Sequence, residues 1–521
     1  MKKDINYLKN FLKEIVPEQI NFRRLGCVFE TQKNMYFYDA GTGKVIECNE
    51  NEFMVLKNLV ESDNSEICEI EKLEDLEEAV ENICKIVKDE NLLQAPIYKE
   101  FARETDQTIH HVTSEGFHQL ILEVTQNCNF RCKYCVFNNY NESYRDFTPR
   151  NMDWDIAKKA IDYTKAHSGK SEEEVSISFY GGEPLINYEL IKRVVEYSKK
   201  IMPDKKLRFA FTTNLSLMTK DKAEFFAKEG FIILCSIDGP QEVHDTYRVD
   251  VKGNGTFSQA LEGLKNLIEA YGNSAKDRIL FNSVVTPPYS KKKFDAIKNF
   301  FENLEWLPPL LTKRFSYVEG DSLREEDIDY SCFENEYYEG KDVDKKLATI
   351  DPLTLWALEN IIEDNDRDNI SMDYDLDAFV RIQNRLILDK PYHLIKRNAC
   401  CTPGGKRLFV RVDGSFHVCE RVGNVPDIGN VDMGLDLEKM KRTYIEEYEK
   451  KSLSDCSDCW AVHLCAMCYS TCMGENGVDI DKKKRICEVH REILKGDLVK
   501  YYQLMESRPD KIDIIQKTSV R

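Results

Sequence analysis

A chain of 521 residues exceeds one ordinary hydrophobic core, and its length calls for about three domains. With 42% hydrophobic and 31% charged residues it reads as globular, and no apolar run nears the ~18 residues of a membrane span. The formal charge of −18 argues against a nucleic-acid partner, because phosphate backbones select basic surfaces.

The opening stretch MKKDINYLKNFLKEIVPEQI has no unbroken apolar segment of the signal-peptide kind, so a cytoplasmic location is expected. Stable disulfides are unusual there, and the eighteen cysteines need another explanation. Cys27, Cys48, Cys68 and Cys84, with Cys235 and Cys332, are scattered and read as small apolar residues. The other twelve are clustered, which is how metal sites read.

Residues 1–105 form a first α+β unit. YFYDAGTGKVIEC contains a hairpin around Gly41 and Gly43, NENEFMVLKNLV a helix behind an asparagine cap, and LEDLEEAVENICKIVKDENLL a second amphipathic helix. From 116 to 320, HQLILEVT, EVSISFYGGEP, LRFAFTTN, FIILCSIDG and ILFNSVVT alternate with helical stretches. Such alternation means parallel strands with crossover helices, an α/β barrel or partial barrel with its chemistry at the C-terminal strand ends. Residues 321–395 are acidic, aromatic and mostly helical, a bridging region without a readable motif. Glycines and cysteines dominate 396–500, a small metal-organised domain, and 501–521 is a tail that begins as a helix and frays.

Directly after the first barrel strand comes CNFRCKYC, with Cys128, Cys132 and Cys135. Three thiolates on a four-iron cluster leave one iron open, whereas structural zinc sites are closed by four protein ligands. No further His or Cys follows until His167. With Tyr134 before the third cysteine, this loop resembles the signature of the radical S-adenosylmethionine (radical SAM) enzymes. The resemblance implies a partial (β/α)6 barrel in which S-adenosylmethionine chelates the open iron. One electron then cleaves its sulfonium to give a 5′-deoxyadenosyl radical, which abstracts hydrogen from the substrate. It further implies that the GGEP turn, with Gly181, Gly182 and Glu183, holds the methionyl ammonium. Asn214, Ser236 and Arg248 would contact the cofactor's carboxylate and ribose, while Asp238, before Gly239, is expected to cap its own turn.

In the C-terminal region Cys401 is followed after twelve residues by Gly414 and after four more by Cys419. Cys456, Cys459 and Cys465 stand at spacings two and five, and Cys487 stands alone. This series resembles the SPASM extension of the radical SAM enzymes. It departs at Tyr469, where a cysteine is due and which Cys468 and Cys472 flank, and at the doublet Cys400–Cys401. By resemblance Cys456, Cys459, Cys465 and Cys487 hold one auxiliary cluster. Cys401 and Cys419 hold the other with Cys468, Cys472 or both, and Cys400 is the spare. His417 and His463 read as ordinary polar side chains.

The first unit resembles the winged-helix leader-recognition element of peptide maturases, where a precursor's leader adds a strand to a sheet edge, here Lys44 to Cys48 beside the helix near 75–92. The whole pattern is similar to the thioether-forming sactipeptide and ranthipeptide synthases. That likeness implies three [4Fe-4S] clusters, S-adenosylmethionine, a Cys-rich precursor peptide and a low-potential electron donor of flavodoxin or ferredoxin type. Sulfatase maturation to formylglycine, or peptide epimerisation, is the alternative. No general base is assignable from the sequence.

Overall fold

The computed structural model describes residues 3–18, 21–61, 75–102, 106–114, 118–138, 143–169, 174–308, 313–318, 322–334, 352–363, 377–395, 401–405 and 407–511. Cys68, Cys400, the final ten residues and much of the bridging region lie outside the described residues.

The first unit opens with helix α1, Ile5–Ile15, whose first turn is capped by the Asp4 carboxylate accepting from Asn6 N and Tyr7 N. Strands β1, Gly26–Glu30, β2, Met35–Asp39, and β3, Val45–Cys48, pair antiparallel in that order. The buried Asp39 carboxylate fastens the β2–β3 turn, accepting from Thr42 N and Oγ1 at 2.7 Å and from Leu93 N at 2.7 Å. Helix α2, Glu50–Glu61, starts with a reciprocal cap: Asn49 Oδ1 accepts from Glu52 N at 2.9 Å, and Glu52 Oε2 from Asn49 N at 3.1 Å. Helix α3 spans Leu76–Glu90. One face of the sheet, through Val28 and Phe37, joins the apolar sides of these three helices.

Barrel strands β4 to β9 are Gln119–Thr125, Val175–Gly181, Leu207–Thr213, Ile232–Ser236, Ile279–Val285 and Lys313–Tyr317, all parallel to their neighbours. Between successive strands run helices α4, Trp154–His167, α5, Tyr188–Ile201, α6, Lys220–Glu229, α7, Phe257–Tyr271, and α8, Lys291–Glu302. Strict alternation in β5 buries Val175, Ile177 and Phe179 with the helices' apolar faces, so every functional loop emerges from one rigid rim. The sixth strand, KRFSY, carries three polar residues in five and gave no apolar run from which to read it.

Two further strands come from the cysteine-rich region. β10, Arg407–Val410, lies parallel to β4 and extends the sheet, and β11, Phe416–His417, pairs antiparallel with β10. The Glu123 carboxylate of β4 locks this join, accepting from Val412 N at 3.2 Å and pairing with Arg145 Nε at 2.6 Å. The C-terminal segment is thus built into the barrel sheet. Its long helix α9, Ile480–Ser507, runs past residue 500, where the sequence suggested that the tail began. Leu494, Leu498 and Tyr501 of α9 pack on Phe29, Tyr36 and Tyr38, the second face of the first sheet. Among the described residues no helix is long and apolar enough to cross a membrane.

The scattered cysteines mostly behave as apolar residues: Cys27, Cys48 and Cys235 are buried and Cys84 is half-buried. Cys332 is exposed, on the segment that follows β9, which corrects the expectation of a buried apolar role.

Candidate active site

The loop carrying Cys128, Cys132 and Cys135 leaves the C-terminal end of β4 and is fixed by backbone bonds from Arg131 N to Val249 O, 2.7 Å, and from Lys133 N to Tyr247 O, 2.9 Å. All three cysteines are half-buried. Burial is the main reason the Cys132 thiol is pushed up to about 12, with Arg248 opposing and Cys135 adding. The Cys128 sulfur accepts from Phe130 N at 3.4 Å and from Asn214 Nδ2 at 3.9 Å.

Both glycines of the GGEP turn are required by close contact, Gly181 with the end of β4 and Gly182 with the loop that follows it. Each comes close to another stretch of backbone. Gly181 has φ +141°, and a Cβ on it would sit 2.0 Å from Thr125 O. A Cβ on Gly182 would meet Asn127 O at 2.1 Å and Cys128 Cβ at 2.9 Å. Gly182→Ala is therefore expected to displace the cysteine loop and cost about 3 kcal/mol, the upper end of overpacking penalties, measured by urea titration. Unchanged stability would mean that the loop yields freely.

Glu183 is only 1% exposed. Its Oε1 accepts from Leu185 N at 3.1 Å and Thr213 Oγ1 at 2.9 Å, and its Oε2 from Asn214 N at 2.8 Å. The carboxylate thereby ties the end of β5 to the end of β6, and of its four lone-pair directions one on Oε2 stays unused by these bonds. Burial raises its pKa to about 7, while those hydrogen bonds pull the other way. Asn214 also donates from Nδ2 to Asn129 Oδ1 at 3.0 Å, and Ser236, buried, ends β7.

Asp238 does not act as a turn cap. Its Oδ2 accepts from Arg248 Nε at 2.9 Å and from the Tyr134 hydroxyl, and its Oδ1 from Arg248 Nη2 at 3.0 Å and Val284 N at 2.9 Å. Asp238 is 2% and Arg248 6% exposed, so this is a buried bidentate pair. A buried carboxylate takes the charged fork in preference to the weaker bonds of a turn. Although burial alone would lower it, the pKa of Arg248 is held above its ordinary value, chiefly by Asp238. The pair links the rims of β7 and β8 to the cysteine loop through Tyr134. Sequence spacing offered no sign of it, since ten residues separate the partners.

Further cysteines gather in the C-terminal segment. Cys456 ends the helix Glu447–Ser457, Cys459 lies in the next turn, Cys465 follows in a loop and Cys487 sits on α9. Burial is the main reason for the raised thiol pKa values of Cys456, to about 11, and Cys465, to about 12, and both also feel Cys459 and Cys487. These four line a cavity of about 1430 Å³ between the first unit and the C-terminal segment. Cys419 lies just past β11, where burial, then Glu420, push its thiol to about 12, with Cys468 adding. Cys472 is fully buried and its thiol donates to Tyr469 O at 3.2 Å. Cys401 is exposed. Tyr469, where the series wants a cysteine, is buried with its ring 5.6 Å from that of Tyr444.

Two histidines stand near these cysteines in sequence. His463 Nε2 shares a hydrogen bond with Tyr98 Oη at 2.8 Å. His417 is buried on β11, where burial takes its pKa down to about 3 and keeps it neutral at pH 7. Among the described residues no three His, Cys, Asp or Glu side chains converge to hold a single metal ion. Several cysteine sulfurs instead accept N–H donors: besides Cys128, Cys465 from Met467 N at 3.4 Å and Cys468 from Ser470 N at 3.5 Å. Such bonds suit thiolates that ligate iron–sulfur clusters.

The family model described as the Radical SAM superfamily matches residues 122–301, the segment from β4 to α8. The chain is 30% identical over 146 residues to the serine-type anaerobic sulfatase-maturating enzyme of Bacteroides thetaiotaomicron, covering 28% of this chain and 34% of that enzyme. It is 29% identical over 245 residues to the radical SAM cyclopropyl synthase TigE of Paramaledivibacter caminithermalis, covering 46% and 47% of the two chains. It therefore spans a third to a half of the length of these relatives. In fold, native anSMEcpe with bound AdoMet and Cp18Cys peptide superposes with a TM-score of 0.51 at 19% identity, over 77% of this chain and 99% of that one.

Proposed function

Starting from the radical SAM domain that this chain carries at residues 122–301, we propose that it installs thioether crosslinks in a ribosomally made, Cys-rich precursor peptide. Each link would join a cysteine sulfur to the carbon of an acceptor residue. The observation that carries this reading is the pairing, in one chain, of a three-cysteine strand-end loop with a first unit whose sheet has a strand edge to which a peptide could add. In that unit β3 is an edge strand, bonded to β2 alone among the described residues. A leader added along β3 would gain main-chain hydrogen bonds from that edge.

Cys128, Cys132 and Cys135 would hold a [4Fe-4S] cluster with one open iron. Cys456, Cys459, Cys465 and Cys487 would hold an auxiliary cluster, and Cys401 and Cys419 another with Cys468 or Cys472. The first cluster, when bound with S-adenosylmethionine, supplies the electron that generates a 5′-deoxyadenosyl radical. Tyr134, Gly181, Gly182, Asn214, Ser236 and Arg248 would line the cofactor, and Glu183 would offer its unused lone pair to the methionyl ammonium. In balance, the acceptor C–H gives its hydrogen atom to the deoxyadenosyl group and the cysteine S–H gives up a proton. The S–C bond would form with release of one electron, for which an auxiliary cluster held by Cys456, Cys459, Cys465 and Cys487 would be the acceptor. A low-potential flavodoxin- or ferredoxin-type protein would supply the priming electron.

Incubation of a Cys-rich precursor with the enzyme, S-adenosylmethionine and a strong reductant, anaerobically in deuterated water, tests the reading by peptide mass. Loss of two hydrogens per event with one thiol consumed is expected. An aldehyde trapped by a hydrazide would transfer the reading to formylglycine formation, which the similarity to the sulfatase-maturating enzyme favours as the alternative. One deuterium gained with no bond formed would mean epimerisation. An untouched peptide beside new 5′-deoxyadenosine would sink the substrate assignment alone.

A further inference from the structure

The basic run in DKKKRIC lies at the start of α9, one turn before Cys487. Helical geometry separates its members: Lys484 and Arg485 are exposed, whereas Lys483 turns inward and is 1% exposed. Its Nζ lies 3.6 Å from Cys456 Sγ and 3.7 Å from Cys487 Sγ, so one ammonium bridges two cysteines of the same set. Cys472, fully buried and next to Cys468, is a third cysteine within its electrostatic reach. Among the described residues no carboxylate pairs with Lys483, although exposed lysines nearby take carboxylate partners, as Lys451 does with Glu447. Burying an ammonium without countercharge is costly, and a neutral thiol does not supply one. Thiolates bound to an iron–sulfur cluster do.

We propose that Lys483 is a positioning residue for the auxiliary cluster of Cys456, Cys459, Cys465 and Cys487: its fixed positive charge and N–H···S bonds to Cys456 and Cys487 make that cluster easier to reduce. This rests on the assignment of those four cysteines to an iron–sulfur cluster. Hydrogen bonds to ligand sulfurs and net nearby charge are two of the main determinants of cluster potential. The placement of the charge matters as well. Against Cys456 and Cys487 and within electrostatic reach of Cys472, it would hold an electron preferentially on the cluster of Cys456, Cys459, Cys465 and Cys487.

The test uses the full-length protein with Cys128, Cys132 and Cys135 replaced by alanine, reconstituted with iron and sulfide. Its readouts are iron content and an EPR-monitored redox titration. In Lys483→Met one midpoint potential is expected to move to a more negative value, or the iron of one cluster to be lost, while Lys483→Arg keeps wild-type iron and a near-wild-type midpoint. Met and Arg variants that both retain iron with unshifted midpoints would overturn the proposal. Equal loss of iron in both would also overturn it, because shape rather than charge would then be at stake. The underlying assignment has its own control: if Cys456→Ala leaves iron content unchanged, the cluster reading fails, independently of Lys483.

Discussion

Alanine in place of Cys132 is expected to abolish formation of 5′-deoxyadenosine while leaving the barrel folded. The loop is shaped by its backbone, through Arg131 N to Val249 O and Lys133 N to Tyr247 O, and by Tyr134 anchored on Asp238. None of these contacts uses the Cys132 sulfur. The side chain is half-buried, and its loss should cost no more than about 1 kcal/mol of stability. Its chemical consequence is total, because a cluster with two remaining thiolates in this loop is not retained. Chromatography of anaerobic reactions, with iron analysis, checks both statements: about four irons per chain should disappear with turnover. Turnover that survived would show that the loop is not where the cofactor is cleaved.

The second large effect lies on the other side of the same loop. Asp238→Ala is expected to destabilise the protein by about 3–5 kcal/mol, since it strands the buried Arg248 guanidinium without a partner. It also removes the acceptor of Tyr134 and of Val284 N, so strand end and cysteine loop both lose an anchor. The double variant Asp238→Ala/Arg248→Met should recover part of that loss, because no charge is then left unpaired. Denaturant titration of the single and double variants measures the coupling. If the double variant is no more stable than Asp238→Ala alone, the pair is not the source of the cost.

What could be read from the sequence differs by the range of the interaction. The β2–β3 hairpin, the Asn49 cap and five barrel strands are local patterns, set by glycine at a turn, a cap residue three positions before its partner, or an apolar run. The cysteine loops were legible too, because ligands of one cluster recur at short spacing. β9 escaped because an edge strand with polar residues has no apolar signature, and β10 because its partner, β4, is remote in sequence. Asp238 was read as a turn cap, since Asp before Gly usually is one, and its pairing with Arg248 went unread because the burial that favours an ion pair is tertiary. Lys483 did leave a mark, a lysine one helical turn before a clustered cysteine, but the four-residue basic run around it reads as a solvated face.

The addition of β10 to β4 has a consequence for synthesis in the cell. β4 is among the first parts of the barrel to be made, yet the strand that completes its outer edge emerges about 290 residues later, roughly 15–60 s at ordinary elongation rates. Throughout that interval the nascent chain presents an unsatisfied strand with the sequence LILEVT, the kind of edge that recruits other chains. A shortened gene ending after β9 would make this state permanent, and its product should collect in inclusion bodies even though every barrel strand is present.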